Sequence, residues 1–290
     1  MAILCAQCGT SLPDEANYCL QCGRPTRRPT RVFAIANQRG RVGKTTTAVD
    51  LCACLADSGW RILLIDLCPT AAATLHLGLD PHKAGNTMYE QLVNEGFTVE
   101  QVIKRDVRPN LALLPAKVDL YAAEIEVVYL DQREYRLRRA LEPVTSKCDF
   151  ILIDCPPSLG LLTVNALCAA DGVIVPLQCE YFALEGLTQL LKTIKLVRDE
   201  LNPTIGLFGI ALTMYHSDAR LSAEVVQEIS EHFPKERFTT VIPRDLRLAE
   251  APSYGVTILE HDPGSPGALA YKLLAEEVVA RATALGASQA

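Results

Sequence analysis

The chain has 290 residues, about two domains' worth of polypeptide at the ~100–200 residues common for one. Hydrophobic residues make up 49% and charged residues 21%, which excludes a disordered, collagenous or disulfide-dense small scaffold. A formal net charge of −6 excludes a protein that coats nucleic acid with its whole surface, though a local basic patch remains compatible. The longest apolar runs, at 62–65 and 207–212, fall far short of the ~18 residues of a membrane span. The first residues lack a charged segment followed by an apolar one. The chain reads as cytoplasmic, with no membrane partner.

Residues 1–23 form a first unit. Four of the eleven cysteines fall here, as Cys5-x-x-Cys8-Gly9 and Cys19-x-x-Cys22-Gly23. In a reducing compartment such a cluster reads as metal ligands rather than disulfides. Glycine after each pair suits a tight turn, and two such turns supply the four thiolates of a closed tetrahedral zinc site. About 20 residues cannot stabilise themselves by apolar burial. Zinc can, at an apparent ~10–16 kcal/mol. The remaining alternative is a redox dithiol pair. The unit resembles the small zinc ribbons appended to many bacterial proteins, and its low basic charge points to protein docking rather than DNA reading. Residues 24–30, with two prolines and three arginines, form a short stiff linker.

From 31 to 290 the pattern is one α/β body. Strands are expected at 31–37, 61–67, 111–115, 149–154, 172–177, 206–214 and 238–242. Helices are expected at 44–58, 119–127, 131–147, 160–170, 184–200, 218–232 and 266–284. Continuous apolar strands such as Ile151-Leu152-Ile153 imply that both faces are covered. This is a doubly wound, mostly parallel sheet with helices on both faces.

The first of these strands runs into Asn37-Gln38-Arg39-Gly40-Arg41-Val42-Gly43-Lys44-Thr45-Thr46 and then a helix. The strand–loop–helix context and the Gly43-Lys44-Thr45 tail fit a P-loop. Backbone N–H groups surround phosphate oxygens, the lysine reaches the β/γ-phosphates and the hydroxyl binds Mg²⁺. The strict spacing fails at its first glycine, which is Gln38.

The loop resembles the deviant Walker A motif of the ParA/Soj/MinD ATPases, which typically reads Lys-Gly-Gly-Val-Gly-Lys-Thr-Thr. The resemblance continues through Asp66-Leu67-Cys68-Pro69, Asp154-Cys155-Pro156-Pro157, Gln178-Cys179-Glu180-Tyr181 and Pro243-Arg244-Asp245, and covers nearly all of 31–285. It implies a P-loop domain that binds ATP and Mg²⁺ and forms a homodimer when ATP-bound. Non-specific DNA and a ParB-like or other partner protein would complete a cycle that positions DNA or cargo, with nucleoid association as a corollary. Residue by residue, it implies phosphate binding by Arg39, Gly40, Arg41, Val42, Gly43, Lys44, Thr45 and Thr46. Lys44 would hold the β/γ-phosphates, and Thr45 and Asp154 would hold Mg²⁺. Pro243 and Arg244 would line the adenine pocket. Arg220 and Arg247 are the candidate DNA contacts, although Asp218 stands where the family has an arginine.

Three departures sit at the chemistry. Arg39 replaces the signature lysine that crosses the dimer to the partner's phosphates. Arg41 replaces the loop's second glycine. Cys68 replaces an aspartate implicated in positioning the attacking water, and a thiol cannot accept a proton as a carboxylate does. Binding with slow or impaired hydrolysis is therefore expected. The alternative is a non-hydrolysing ATP-binding adaptor that docks a partner through its ribbon. Cys68 reads either as a bland replacement or as a redox group near Cys155. Cys52 and Cys54 read as core-facing, His216 and His232 lack companions at ligand spacing, and the basic run at 133–139 reads as a solvated helix face.

Overall fold

The computed structural model describes residues 2–4, 9–13, 19–22, 29–94, 96–181 and 183–287. At the N-terminus β1 (Ala2–Leu4) pairs antiparallel with β2 (Ser11–Pro13). Cys5, Cys8 and most of the 24–30 linker lie outside the described residues, while Cys19 is buried and Cys22 exposed.

The body then alternates strand and helix. It opens with β3 (Arg31–Ile35), α1 (Lys44–Asp57), β4 (Ile62–Asp66) and α2 (Ala72–His76). Two short helices, α3 (Met88–Val93) and α4 (Val99–Val102), precede β5 (Lys104–Arg108) and β6 (Leu111–Leu114). Next come α5 (Leu120–Glu126), α6 (Arg136–Thr145), β7 (Phe150–Asp154) and α7 (Leu161–Ala169). They are followed by β8 (Gly172–Gln178), α8 (Ala183–Glu200), β9 (Leu207–Tyr215) and α9 (Arg220–His232). The chain closes with β10 (Arg237–Pro243), α10 (Leu246–Glu250), α11 (Ile258–His261) and α12 (Pro266–Ala287).

Eight strands form one sheet in the order β10-β9-β8-β3-β7-β4-β6-β5, all parallel except β5, which runs antiparallel to β6. Period-two alternation divides each central strand between two cores. Val32 and Ala34 of β3, with Ile151 and Ile153 of β7, face one buried layer; Phe33, Ile35 and Leu152 face the other, where α1 and α12 pack. Both layers are apolar, which is why these strands read as unbroken hydrophobic runs. Cys52 and Cys54 are core-facing as expected. Among the described residues no helix is long and apolar enough to cross a membrane.

Two expectations need correction. The helix expected at 131–147 is a short 3-10 turn, Arg133–Tyr135, followed by α6. The basic run at 133–139 is not wholly solvated, because Arg136 is buried and donates from Nε to the Leu92 carbonyl at 2.8 Å. A buried guanidinium is tolerated where carbonyls accept its protons.

The helix that follows the phosphate loop carries a second buried charge. Asp50 of α1 is fully buried, and its Oδ1 accepts the Ile258 N–H at 2.9 Å while Oδ2 has no partner. Burial pushes its carboxyl up to about 7. The unfolded chain ionises this group near its ordinary value, so stability falls as pH rises from about 4 to about 7, by ~1.4 kcal/mol per pH unit. Asp50→Asn keeps the acceptor and cannot ionise. Its melting temperature relative to wild type should rise by about 5 °C between pH 5 and pH 8, measured by calorimetry; a difference independent of pH would show that Asp50 is ionised in the fold.

Candidate functional site

The chain leaves β3 at the centre of the sheet, between β7 and β8, and turns at the strands' C-terminal ends, where open α/β sheets hold ligands. Asn37 shapes the turn. Its Nδ2 donates to the Pro176 carbonyl at 2.8 Å and its Oδ1 accepts the Arg39 N–H at 2.9 Å. Further along, Val42 is buried, and its carbonyl accepts the Thr213 hydroxyl from β9 at 2.9 Å. Gly43, the N-cap of α1, has φ 85°, a left-handed conformation that glycine adopts without steric cost. Arg41 lies in the same region at φ 62°. Lys44 begins α1 and folds back so that Nζ donates to the Arg39 carbonyl at 2.8 Å. The loop thus places a cation beside the start of α1, where the first N–H groups of a helix have no intrahelical acceptor, an arrangement suited to a phosphate.

Two carboxylates close the other side. Asp66 ends β4 and Asp154 ends β7, directly opposite one another in the parallel register, and both are fully buried. Asp66 is well supplied. Its Oδ2 accepts the Thr74 N–H and hydroxyl, both at 2.8 Å, and Oδ1 accepts the Cys68 N–H at 3.1 Å. Asp154 has one bond, from the Thr45 hydroxyl to Oδ2 at 2.7 Å, while Oδ1 is buried without a partner. Burial raises both carboxyls, and for Asp154 the neighbouring Asp66 charge adds to the rise. Burial lowers Lys44, partly offset by the Asp154 charge. An unsatisfied buried carboxylate oxygen beside a threonine hydroxyl is a donor set suited to a hard divalent cation such as Mg²⁺.

The turn after β4 carries Cys68. Its Sγ lies 3.1 Å from the Thr70 hydroxyl, and burial pushes its thiol up, so it is protonated at neutral pH. Cys155, immediately after Asp154, is also buried, and its thiol is raised further. Neither cysteine is a ready nucleophile. A cleft of about 590 Å³ flanks this turn, lined by Pro69, Thr70, Lys117, Asp119 and Tyr121 among others.

The structure brings Arg39, Gly40, Arg41, Val42, Gly43, Lys44, Thr45 and Asp154 together at this end of the sheet. Pro243 ends β10, and the Arg244 N–H donates to the Tyr215 carbonyl at 2.8 Å, which ties this segment to the end of β9. Arg220 is exposed and paired with Glu224 at 2.7 Å. Arg247 is exposed and paired with Glu250 at 2.9 Å. Sequence reasoning missed Asn37, Thr74 and Thr213, which hold the loop and Asp66 in place. Their signal is faint: a polar residue near the end of an apolar strand, in the turn beyond one, or in a short helix that follows.

The AAA domain family matches residues 30–207, and the zinc-ribbon domain family matches residues 4–26. The chain is similar to the sporulation initiation inhibitor protein Soj of Bacillus subtilis, 48% identical over 250 residues, covering 86% of this chain and 98% of that one. It is similar to the chromosome partitioning protein ParA of Myxococcus xanthus, 47% identical over 253 residues, covering 87% and 89%. Among solved structures it is similar to cobyrinic acid a,c-diamide synthase from Mycobacterium smegmatis with bound ATP analog and magnesium. That match has a TM-score of 0.75 and 38% identity, and covers 86% of this chain and 94% of that one.

The Thr213 hydroxyl is the side-chain donor to the buried carbonyl that fixes the phosphate loop. Thr213→Val keeps the shape and removes the donor, so it should destabilise the protein by ~1–3 kcal/mol. Urea unfolding reads this as a lowered midpoint; an unchanged midpoint would mean that Val42 finds another donor.

Proposed function

The chain belongs to the ParA/Soj-type ATPases, and on that footing we propose that it is a MgATP-dependent dimer switch that positions DNA or other cargo, with hydrolysis slowed at position 68. The structurally similar protein with a bound ATP analog and magnesium supports the nucleotide and the metal. Lys44 and the loop amides would hold the β/γ-phosphates, and the Thr45 hydroxyl and Asp154 would hold Mg²⁺. When bound, magnesium neutralises charge on the phosphates. Pro243 and Arg244 would border the adenine.

The observation that carries the slow-turnover reading is the buried thiol of Cys68, its Sγ 3.1 Å from the Thr70 hydroxyl, in the turn where the family places a carboxylate. Phosphoryl transfer depends on positioning and charge stabilisation. A neutral thiol that is hydrogen-bonded to Thr70 neither orients nor deprotonates water, while Lys44, Thr45 and Asp154 keep what binding needs. The same thiol favours a second reading, an adaptor that binds ATP and does not hydrolyse it. Residues 1–23 would form the zinc ribbon, joined by the 24–30 linker and docking a partner protein. Arg220 and Arg247 would contact DNA phosphates after exchanging their carboxylate partners, which makes such binding sequence-independent and salt-sensitive.

Wild-type phosphate release with ATP and DNA should lie near background, and Cys68→Asp should raise it about tenfold or more, ~1.4 kcal/mol of barrier. A wild-type rate that Cys68→Asp does not increase would assign water positioning to another group. Metal analysis of purified protein should find about one zinc per chain, lost in Cys19→Ser. Full zinc content in that variant would remove the four-thiolate reading.

A further inference from the structure

We propose that the pocket between α3 and α6 is a second ligand site, taking a nucleoside monophosphate whose base carries an exocyclic amino group. The pocket has a volume of about 390 Å³. It is lined by Gln91 of α3, Asn94 and Phe97 in the segment before α4, and Arg136, Arg139 and Ala140 of α6. None of these belongs to the phosphate loop or to the strands that carry Asp66 and Asp154. Its size suits one small ligand.

Gln91 supplies the first observation. It is 7% exposed, and its Oε1 is buried with no hydrogen-bond partner among the described residues. Its Nε2 donates to the Phe97 carbonyl in a long bond of 3.4 Å, which turns the amide so that the oxygen is left over. A buried acceptor without a donor is costly. In the wall of a pocket, a ligand's N–H group removes that cost.

The charge of the pocket is the second. Among its described lining residues none is acidic and two are arginines. Arg136 is buried, and the Leu92 and Val93 carbonyls accept from Nε and Nη2 at 2.8 and 3.3 Å, which fixes a cation in the wall. Arg139 is three positions further on and therefore on the same helix face. It is exposed and has no hydrogen-bond or ion-pair partner among the described residues. A guanidinium fork grips phosphate through paired N–H groups. Phe97, half-buried at the same pocket, offers a ring on which a base stacks. A phosphate at the arginines, a base on Phe97 and its amino group on Gln91 Oε1 use all three features. A bare phosphate or a small carboxylate leaves Gln91 and Phe97 unused.

The test fills the phosphate loop of the full chain with magnesium and a saturating, slowly hydrolysed ATP analogue, then titrates AMP by calorimetry. One AMP per chain should bind. Arg139→Ala, a change at the surface, should weaken it by about tenfold or more. Adenosine lacks the phosphate and IMP lacks the amino group, so each should bind about tenfold or more weakly than AMP. Gln91→Met keeps the length of the side chain and removes the acceptor; in that variant AMP and IMP should bind alike. No AMP binding with the loop filled overturns the proposal, as does wild-type affinity in Arg139→Ala. AMP that binds no more tightly than IMP or inorganic phosphate also overturns it, as does a preference for AMP over IMP that survives in Gln91→Met. The ATPase reading stands in each case, because it uses none of these residues.

Discussion

Asp66 and Asp154 face one another at the ends of adjacent strands, both out of contact with water. Two buried carboxyls in register are costly to ionise, because neither is hydrated and the Asp66 charge raises Asp154 further. The surrounding structure answers that cost unequally. Thr74, at the start of α2, gives Asp66 two hydrogen bonds, and its hydroxyl accepts the Ala116 N–H from the chain after β6. Asp154 receives one bond from Thr45 and the nearby charge of Lys44. The asymmetry makes Asp66 the organiser of the turn after β4 and leaves Oδ1 of Asp154, the proposed Mg²⁺ ligand, without a partner. The parallel sheet, the loop after β3 and α1 meet at this one place.

On the proposed reading, that division would let binding and turnover separate in this chain. The groups that would hold phosphate and metal are fixed by hydrogen bonds among Asn37, Thr213, Lys44 and Thr45, none of which involves position 68. Cys68 is tied through its N–H to Asp66 and through its sulfur to Thr70. A thiol there, in place of the family's carboxylate, adds no further negative charge beside two buried carboxyls.

Most of the sheet was legible in the sequence because six of its strands are covered on both faces or nearly so, and continuous apolar runs report that directly. Strand β5 was not legible. Lys104-Arg105-Asp106-Val107-Arg108 is an antiparallel edge with little buried surface, so no periodicity marks it. The phosphate loop, Lys44, Thr45 and Asp154 were legible as motif residues. Their supports were not, because Thr213 reaches Val42 from 171 positions away. The pairing of Arg39 with Glu180 and the left-handed turn at Arg41 are likewise products of tertiary packing, invisible to residue type. Arg136 misled for the opposite reason: a basic run suggests solvent, and only the folded chain shows carbonyls waiting for the guanidinium.

The central claim is that Lys44, Thr45 and Asp154 belong to a working MgATP site despite the substitutions at 39, 41 and 68. Isothermal titration of the full chain with ATP in the presence of magnesium tests it directly, beside Lys44→Ala. The account predicts saturable binding of about one nucleotide per chain by the wild type and loss of binding in Lys44→Ala, since the β/γ charge then lacks its main cation. No heat of binding in the wild type, or equal affinity in Lys44→Ala, would contradict it.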